Sequence, residues 1–281
     1  MVKREMNDEP MVIDVDALVR LRMPRYYRFI PRLATRCLER IIHQRELNDI
    51  LERMCGHDGV GAADEALRYL GITTEVVGAD AVPATGRFIF VSNHPLGGLD
   101  GLSLISYLGK RYNGNIRFLV NDLLMAVKPL QPVFLPVNKY GRQSRARAEE
   151  IEAQYMGDNQ MATFPAGLCS RMDSSGNVHD LQWQKFVVTH AIRTHRHIVP
   201  MYFDGTNSRF FYRMAQWRKR LGIKFNAEMI LLPGEMFKSS GKNFRIYMGQ
   251  PIPWTSLDAH HPLDEAQRLA EICYALKPET V

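Results

Sequence analysis

Residues 88–107 read FIFVSNHPLGGLDGLSLISY, and this stretch predicts the architecture of the whole chain. It begins with four apolar residues, 88–91, a run typical of a strand that is buried on both faces. The chain then becomes polar, passes two glycines and continues as an apolar, helix-like run after Asp100. A strand that feeds a helix through such a turn places its polar residues at the carboxyl edge of a sheet, where open α/β sheets bind ligands. We therefore expect His94 and Asp100 to face the same crevice.

Apolar runs and amphipathic segments alternate along most of the sequence, which predicts an α/β fold. We expect a single domain with a mixed, mostly parallel central sheet flanked by helices, residues 81–281, and a basic N-terminal helical segment, residues 1–80, packed on its core. Further strands are expected at residues 72–77, 116–120, 134–137, 161–164, 198–203, 227–232 and 244–248. Helices are expected at residues 61–70, 103–111, 144–155, 183–195, 208–221 and 263–276.

Residues 14–54 have a helical pattern with a strong basic character. Two interpretations stay open: a helix on an anionic membrane surface, or a surface helix that packs its apolar side on the core. Pro24 and Pro31 interrupt any single long helix. The basic residues that fall within one arc of the helical wheel are Arg25, Arg28, Arg32, Arg36 and Arg40.

The composition favours a protein that meets anionic partners. The 281 residues are 46% hydrophobic, enough for a sizeable core, and the formal net charge is +6. The four cysteines form no C-x-x-C pair, so we expect a reducing compartment and neither a disulfide framework nor a structural metal site. Neither a secretory signal nor an uncharged apolar run of membrane-spanning length is found. We expect a cytoplasmic protein that is peripheral on the inner face of the cytoplasmic membrane.

The side chains of His94 and Asp100 suit proton transfer. A neutral imidazole accepts a proton efficiently near pH 7, and a carboxylate can hold the ring in one tautomer and stabilise the imidazolium. The alternative interpretation is structural: Asp100 caps a helix and His94 is a hydrogen-bonded turn residue.

Four blocks, in order, resemble the glycerolipid acyltransferase superfamily. Asn93-His94 with Asp100 resembles its His-Asp motif, and Lys139 stands where its second block has a basic residue. The sequence FPAGLCSR, residues 164–171, resembles the third block, and IVPMYF, residues 198–203, resembles the fourth.

The resemblance implies transfer of a fatty acyl group from acyl carrier protein or coenzyme A, with His94 as general base and Asp100 orienting it. The acyl thioester would be a co-substrate, and no cofactor or metal is expected. The expected substrate-binding residues are Asn93, Lys139, Phe164, Pro165, Ala166, Gly167, Arg171, Lys185, Asn207 and Ser208.

Two departures from the family pattern bear on the acceptor. Five residues, rather than four, separate His94 from Asp100, and Gly97-Gly98 can absorb the extra residue as a bulge. The third block has Ala166 where the family usually has a Glu associated with glycerol-phosphate binding. The resemblance is greatest to the hemolysin-like branch, which includes bacterial N-acyltransferases of amino acids.

We therefore expect acylation of the amine of an amino acid such as glycine or ornithine, with acyl carrier protein or acyl-CoA as partner and peripheral contact with an anionic membrane. The alternative acceptor is a lysolipid, as in a 1-acylglycerol-3-phosphate O-acyltransferase. An alternative of another class is a non-catalytic basic protein that binds membrane or nucleic acid. The absence of helix-turn-helix, zinc-finger and RNP patterns argues against nucleic acid, and the absence of a G-x-S-x-G elbow argues against a serine hydrolase.

Overall fold

The computed structural model describes residues 11–137, 145–223 and 225–278. The helices are α1 (Val15–Arg22), α2 (Arg32–Ile41), α3 (Gln44–Met54), α4 (Gly59–Tyr69), α5 (Gly98–Arg111), α6 (Arg145–Met156), α7 (Phe186–Thr194), α8 (Arg209–Arg220), α9 (Leu232–Lys238) and α10 (Pro262–Ala275). The strands are β1 (Thr73–Val77), β2 (Phe88–Ser92), β3 (Ile116–Asn121), β4 (Phe134–Val137), β5 (Gln160–Thr163), β6 (Arg171–Met172), β7 (Val178–His179), β8 (His197–Asp204) and β9 (Asn243–Met248).

Seven strands form one sheet in the order β1-β9-β8-β2-β5-β3-β4. All neighbours pair parallel except β8 and β9, which pair antiparallel. A separate two-stranded hairpin, β6 with β7, follows the loop after β5. The prediction of a single α/β domain with a mixed, mostly parallel central sheet is confirmed.

Strand β2 lies in the middle of the sheet, and every residue in it is buried. Because side chains alternate across a strand, Phe88 and Phe90 pack in the cluster with α3, α4 and α5. Ile89 and Val91 pack on the other face, with α6, α7 and α10. The two apolar faces explain why this strand reads as a continuous hydrophobic run.

The N-terminal helices α2 and α3 differ in how much they contribute to the core. Helix α3 contributes Ile50, Leu51 and Met54 to the core, whereas α2 buries only Thr35. A short 3-10 turn, Tyr27–Phe29, separates α1 from α2, so the five arginines of the predicted arc do not share one helix. The proposed boundary near residue 80 stays a prediction, although β1, on its N-terminal side, is hydrogen-bonded to β9.

One predicted strand is wrong. Residues 227–232, which read AEMILL, form a 3-10 helix, Ala227–Leu231, that leads into α9. Pro233 lies in the first turn of α9, where its missing N–H costs nothing, whereas in a central strand it would remove a ladder bond. Among the described residues, no helix is both long and apolar enough to cross a bilayer.

Candidate active site

The loop after β2 is tied to the neighbouring strand by Asn93. Its side chain Oδ1 accepts from the backbone N–H of Phe203 at 2.7 Å, and its Nδ2 donates to the Phe203 carbonyl at 3.0 Å. The amide of Asn93 is buried and replaces a pair of ladder bonds between β2 and β8 just beyond the end of β2. These two hydrogen bonds hold the start of the His94 loop at a fixed position. That Asn93 binds substrate stays a prediction.

Asp100 lies in the first turn of α5 and is completely buried. Its Oδ2 accepts from the backbone N–H groups of Leu96 at 2.9 Å and Gly97 at 3.3 Å, and its Oδ1 accepts from Gly101 at 2.9 Å. Gly97 has a φ of +85°, a conformation that glycine adopts without strain. The helix-capping interaction expected under the structural interpretation is thus present.

The same carboxylate also contacts His94. The distance from His94 Nδ1 to Asp100 Oδ2 is 3.0 Å, and the His94 side chain is 16% exposed. An ionised carboxylate can only accept, so Nδ1 carries the hydrogen and the lone pair of Nε2 is left available. Asp100 therefore caps α5 and orients the imidazole at once.

Phe164, directly after β5, covers one face of the imidazole. The two ring centroids are 3.9 Å apart and the planes differ by 14°, which is a stacked arrangement. Phe118 of β3 also packs against Phe164, with ring centroids 5.2 Å apart and the planes tilted. The stack restricts rotation of the His94 ring and covers one of its faces, whereas Nε2 lies on the edge of the ring.

Asp180 links the His94 loop to the third block, a contact that was not predicted from the sequence. Its Oδ1 accepts from the His94 backbone N–H at 3.1 Å and from Ser170 Oγ at 2.6 Å, and its Oδ2 accepts from Trp183 Nε1 at 2.9 Å. Burial raises the pKa of Asp180, opposed by the hydrogen bonds from Ser170 and Trp183. The only hint in the sequence is an Asp three residues before a Trp, which is a weak signal.

The remainder of the third block forms a turn beside this clamp. The Pro165 carbonyl accepts from Gln184 N at 3.0 Å, and Gly167, with a φ of +66°, donates its N–H to the Phe164 carbonyl at 2.9 Å. Ala166 is buried in an apolar cluster with residues of α7 and α10. The position where a Glu is usual in the resembled family thus has an apolar environment here.

The guanidinium of Arg171 forms an ion pair with a buried carboxylate. Its Nη2 lies 3.0 Å from Glu228 Oε1, and its Nη1 donates to the Cys169 carbonyl at 2.7 Å. Arg218 of α8 contacts the other oxygen of Glu228 at 2.7 Å. This guanidinium belongs to an ion-pair network that holds α8 against the hairpin β6–β7, because a buried carboxylate requires paired charges. That Arg171 binds a substrate anion stays a prediction.

The acyltransferase family profile matches residues 18–278 of the chain. The chain belongs to this acyltransferase family. Two curated relatives, each named lyso-glycine lipid O-acyltransferase, come from Phocaeicola vulgatus and Bacteroides thetaiotaomicron. They are 43% and 41% identical over 271 residues, covering 96% of this chain and 97% and 99% of their own lengths.

A solved structure is also similar to this acyltransferase, that of the 1-acyl-sn-glycerophosphate acyltransferase PlsC from Thermotoga maritima. It is 16% identical, with a TM-score of 0.47, and the match covers 95% of this chain and 99% of that one.

In this acyltransferase, Asn207 stabilises the loop that contains His94, and Ser208 joins α8 to α9. Asn207 is buried, and its Nδ2 donates to the Pro95 carbonyl at 3.0 Å. Ser208 caps α8 and hydrogen-bonds to Glu235 of α9 through both its N–H and its hydroxyl. The side chains of Asn207 and Ser208 are thus hydrogen-bonded to protein groups, and their binding of substrate stays a prediction.

Lys185 precedes α7 and lines a surface cavity of about 440 Å³ together with residues of α10, and neither His94 nor Asp100 lines that cavity. Lys139 lies outside the described residues. Among the described residues, no group of His, Cys, Asp and Glu side chains could hold a metal ion. The candidate site of this acyltransferase therefore brings together His94, Asp100 and Phe164, and Asn93, Asp180 and Asn207 hold the loop around them.

Proposed function

We propose that this enzyme acylates the hydroxyl of a lyso-glycine lipid, taking the acyl group from a thioester donor. The observation that carries the proposal is the 43% identity to a lyso-glycine lipid O-acyltransferase over 96% of the chain. The hydrogen-bonded His94–Asp100 pair supports it, because such a pair can deprotonate a hydroxyl.

The chemistry of glycine narrows the acceptor. Glycine offers only an amine and a carboxylate, and acylation of a carboxylate oxygen would form a reactive mixed anhydride. The stable O-acylation therefore requires a hydroxyl on a fatty chain that already occupies the glycine amine. The proposed acceptor is an N-(hydroxyacyl)glycine, which differs from the free amine expected from the sequence. The apolar surroundings of Ala166 fit an acceptor without glycerol phosphate.

The proposed step is a direct displacement. Nε2 of His94 takes the proton of the acceptor hydroxyl as its oxygen bonds to the thioester carbonyl carbon. The carbon–sulfur bond then breaks, and the departing thiolate takes the proton back from the imidazolium. Asp100 keeps Nδ1 protonated throughout and balances the transient positive charge, in the manner of the acid in a Ser-His-Asp triad. The acceptor supplies the nucleophile, so no covalent acyl-enzyme forms.

Acyl carrier protein is the proposed donor, with acyl-CoA as the other source of the same thioester. Carrier proteins of this kind are acidic, and the net charge of +6 favours their approach. The proposed place of action is the cytoplasmic face of a membrane, with peripheral attachment, because both the acceptor and the product are lipids.

Purified enzyme incubated with a labelled acyl thioester tests the proposal. We expect an alkali-labile ester product with N-(3-hydroxyacyl)glycine and no product with His94→Ala, a loss of at least about a hundredfold. An amide formed from free glycine would instead support the amine acceptor, and an ester formed on lysophosphatidate alone would support the phospholipid acceptor. Either result would overturn the proposed acceptor.

A further inference from the structure

Helix α8 presents a line of large apolar side chains to solvent. Phe210, Trp217 and Leu221, which directly follows the helix, are 57%, 64% and 74% exposed. Positions seven and eleven residues apart lie above one another on a helix, so the three side chains form one ridge. The inner face is buried through Phe211 and Ala215, so the ridge points away from the core.

Basic side chains border this ridge. Arg209, Arg213 and Arg220 are exposed, and they repeat at helical spacing on one flank of the apolar line. Residues 209–227 contain six basic residues and no acidic one. The turn after the helix extends the apolar surface with Ile223 and Phe225, which are 46% and 69% exposed.

Side-chain contacts hold helix α8 against the rest of the protein. Arg218 pairs with the buried Glu228, and Gln216 Nε2 donates to the carbonyls of Met172 and Asp173. The exposed ridge is therefore a fixed feature of a firmly packed helix, and its exposure in water is unfavourable unless something covers it.

We propose that α8, with Leu221, Ile223 and Phe225 after it, forms a docking surface for an anionic lipid bilayer, with the Phe210–Trp217–Leu221 ridge inserted at the headgroup boundary. Aromatic and aliphatic side chains flanked by arginines match the two layers of a bilayer surface, apolar chains beneath and anionic headgroups above. A bilayer is the favoured partner because the patch is both cationic and apolar. Nucleic acid would contact the arginines but would leave the large apolar side chains exposed.

The position of α8 gives the contact a consequence for the site. Asn207, two residues before the helix, donates to the carbonyl of Pro95, and Pro95 follows His94. The N-terminal end of the helix that bears the ridge is therefore joined to the loop that contains the imidazole. The inference rests on the proposed function for its purpose, whereas vesicle binding is measurable without any acyl transfer.

Vesicle partitioning of the full chain tests the proposal. We expect binding to vesicles of phosphatidylglycerol and phosphatidylethanolamine, weakened by salt, and little binding to phosphatidylcholine alone. Phe210→Ser/Trp217→Ser/Leu221→Ser should weaken binding on the order of tenfold or more, since the inserted apolar area is lost. Arg213→Gln/Arg220→Gln should weaken it about fivefold for each arginine.

Matched controls remove the same chemistry elsewhere. Met156→Ser/Leu263→Ser removes exposed apolar side chains from α6 and α10, and Lys128→Gln/Lys242→Gln removes two exposed charges. Both control variants should bind vesicles as the parent protein does. Trp217 emission should shift to the blue on binding, and Trp217→Phe should abolish that shift.

Three results would overturn the proposal: equal losses in ridge and control variants, unchanged vesicle binding after the ridge substitutions, or ridge variants that only convert a dimer into a monomer. The last would assign the ridge to contact between copies of this chain. Acyl transfer to acceptor dispersed in detergent micelles should survive the ridge substitutions. Failure of that assay in the parent protein would instead count against the proposed function.

Discussion

Four donors share the two carboxylate oxygens of Asp100: the imidazole of His94 and three backbone N–H groups. An amide keeps one acceptor oxygen and turns an NH₂ group towards a donor, so it cannot satisfy this arrangement. Asp100→Asn should lower the rate of acyl transfer by about 10²–10⁴-fold and the free energy of unfolding by about 1–3 kcal/mol. Initial rates and urea unfolding would measure both effects.

The exposed Asp80 offers a matched control, since Asp80→Asn makes the same chemical change away from the candidate site. It should leave both quantities unaltered. An Asp100→Asn variant that kept more than half of the parent rate would show that the orienting role is misassigned.

The buried carboxyl of Asp180 predicts a pH effect on stability. Burial raises its pKa in the folded protein above the ordinary 3.8, so the folded state holds this proton at pH values where the unfolded state has released it. The resulting stabilisation is complete below pH 3.8 and disappears as pH rises through the folded pKa. As pH falls from 7 towards 4, the free energy of unfolding of the parent should therefore increase relative to that of Asp180→Asn. A difference that stays constant with pH would contradict this.

Residue types in the sequence were sufficient to predict that His94 and Asp100 lie together, because both belong to one local motif. The contacts of Asn93 and Arg171 could not be predicted in this way. Asn93 bonds to Phe203, and Arg171 to Glu228, partners that lie far along the chain and that no local pattern indicates. A polar residue beside a motif is equally compatible with binding a ligand and with holding the loop.

At the scale of elements, the two adjacent glycines in the turn into α5, Gly97 and Gly98, have different conformations and surroundings. Gly97 has a positive φ, and a Cβ added there would lie 3.0 Å from Leu232 Cδ1 of α9. At Gly98, φ lies outside the left-handed range and an added Cβ would meet nothing within 4 Å. Gly97→Ala should therefore reduce the free energy of unfolding by about 1–3 kcal/mol, whereas Gly98→Ala should leave it unchanged or raise it by up to about 1 kcal/mol.

Urea unfolding of the two variants checks this contrast, and acyl-transfer rates should fall for Gly97→Ala because the cap on Asp100 is disturbed. Equal stability of the two variants would refute the assignment of strain to the first glycine. The bulge expected from the extra residue in the motif is consistent with the conformation of Gly97.

Most elements were predictable from periodicity, and the errors have local causes. The helix predicted to start at Trp183 begins at Phe186, because Trp183 is bound to Asp180 in the preceding loop. The apolar run MILL, residues 229–232, matches a short strand and a buried helix equally well, and Pro233 selects the helix.

At the scale of the whole molecule, Arg196 joins segments that are distant in sequence. Its side chain is completely buried, and its guanidinium donates to the carbonyls of Tyr155, Gly157, Asn159 and Phe88. Burial and the neighbouring Arg87 lower the pKa of Arg196 to about 10. A lysine ammonium is a single point and cannot reach carbonyls spread around a planar fork.

Arg196→Lys should therefore reduce the free energy of unfolding by roughly 2–4 kcal/mol. The control is Arg193→Lys. Arg193 is nearby and pairs with Glu152 at the surface, and an exposed pair contributes only about 0–1 kcal/mol. Thermal and urea unfolding of both variants would test this. Equal losses would mean that the buried network contributes no more than a surface ion pair.

The order of strands also bears on how the protein is made. Strand β2 lies between β5 and β8, whose paired residues Met161 and Ile198 are synthesised about 70 and 110 residues after Ile89, separations that slow folding. A ribosome-bound chain that ends before β8 already contains His94 and Asp100, but β2 can then pair only with β5. The hydrophobic segment 88–91 is therefore exposed along the edge where β8 will pair. Such nascent chains should be inactive and should bind chaperones through this segment until Asp204 leaves the exit tunnel.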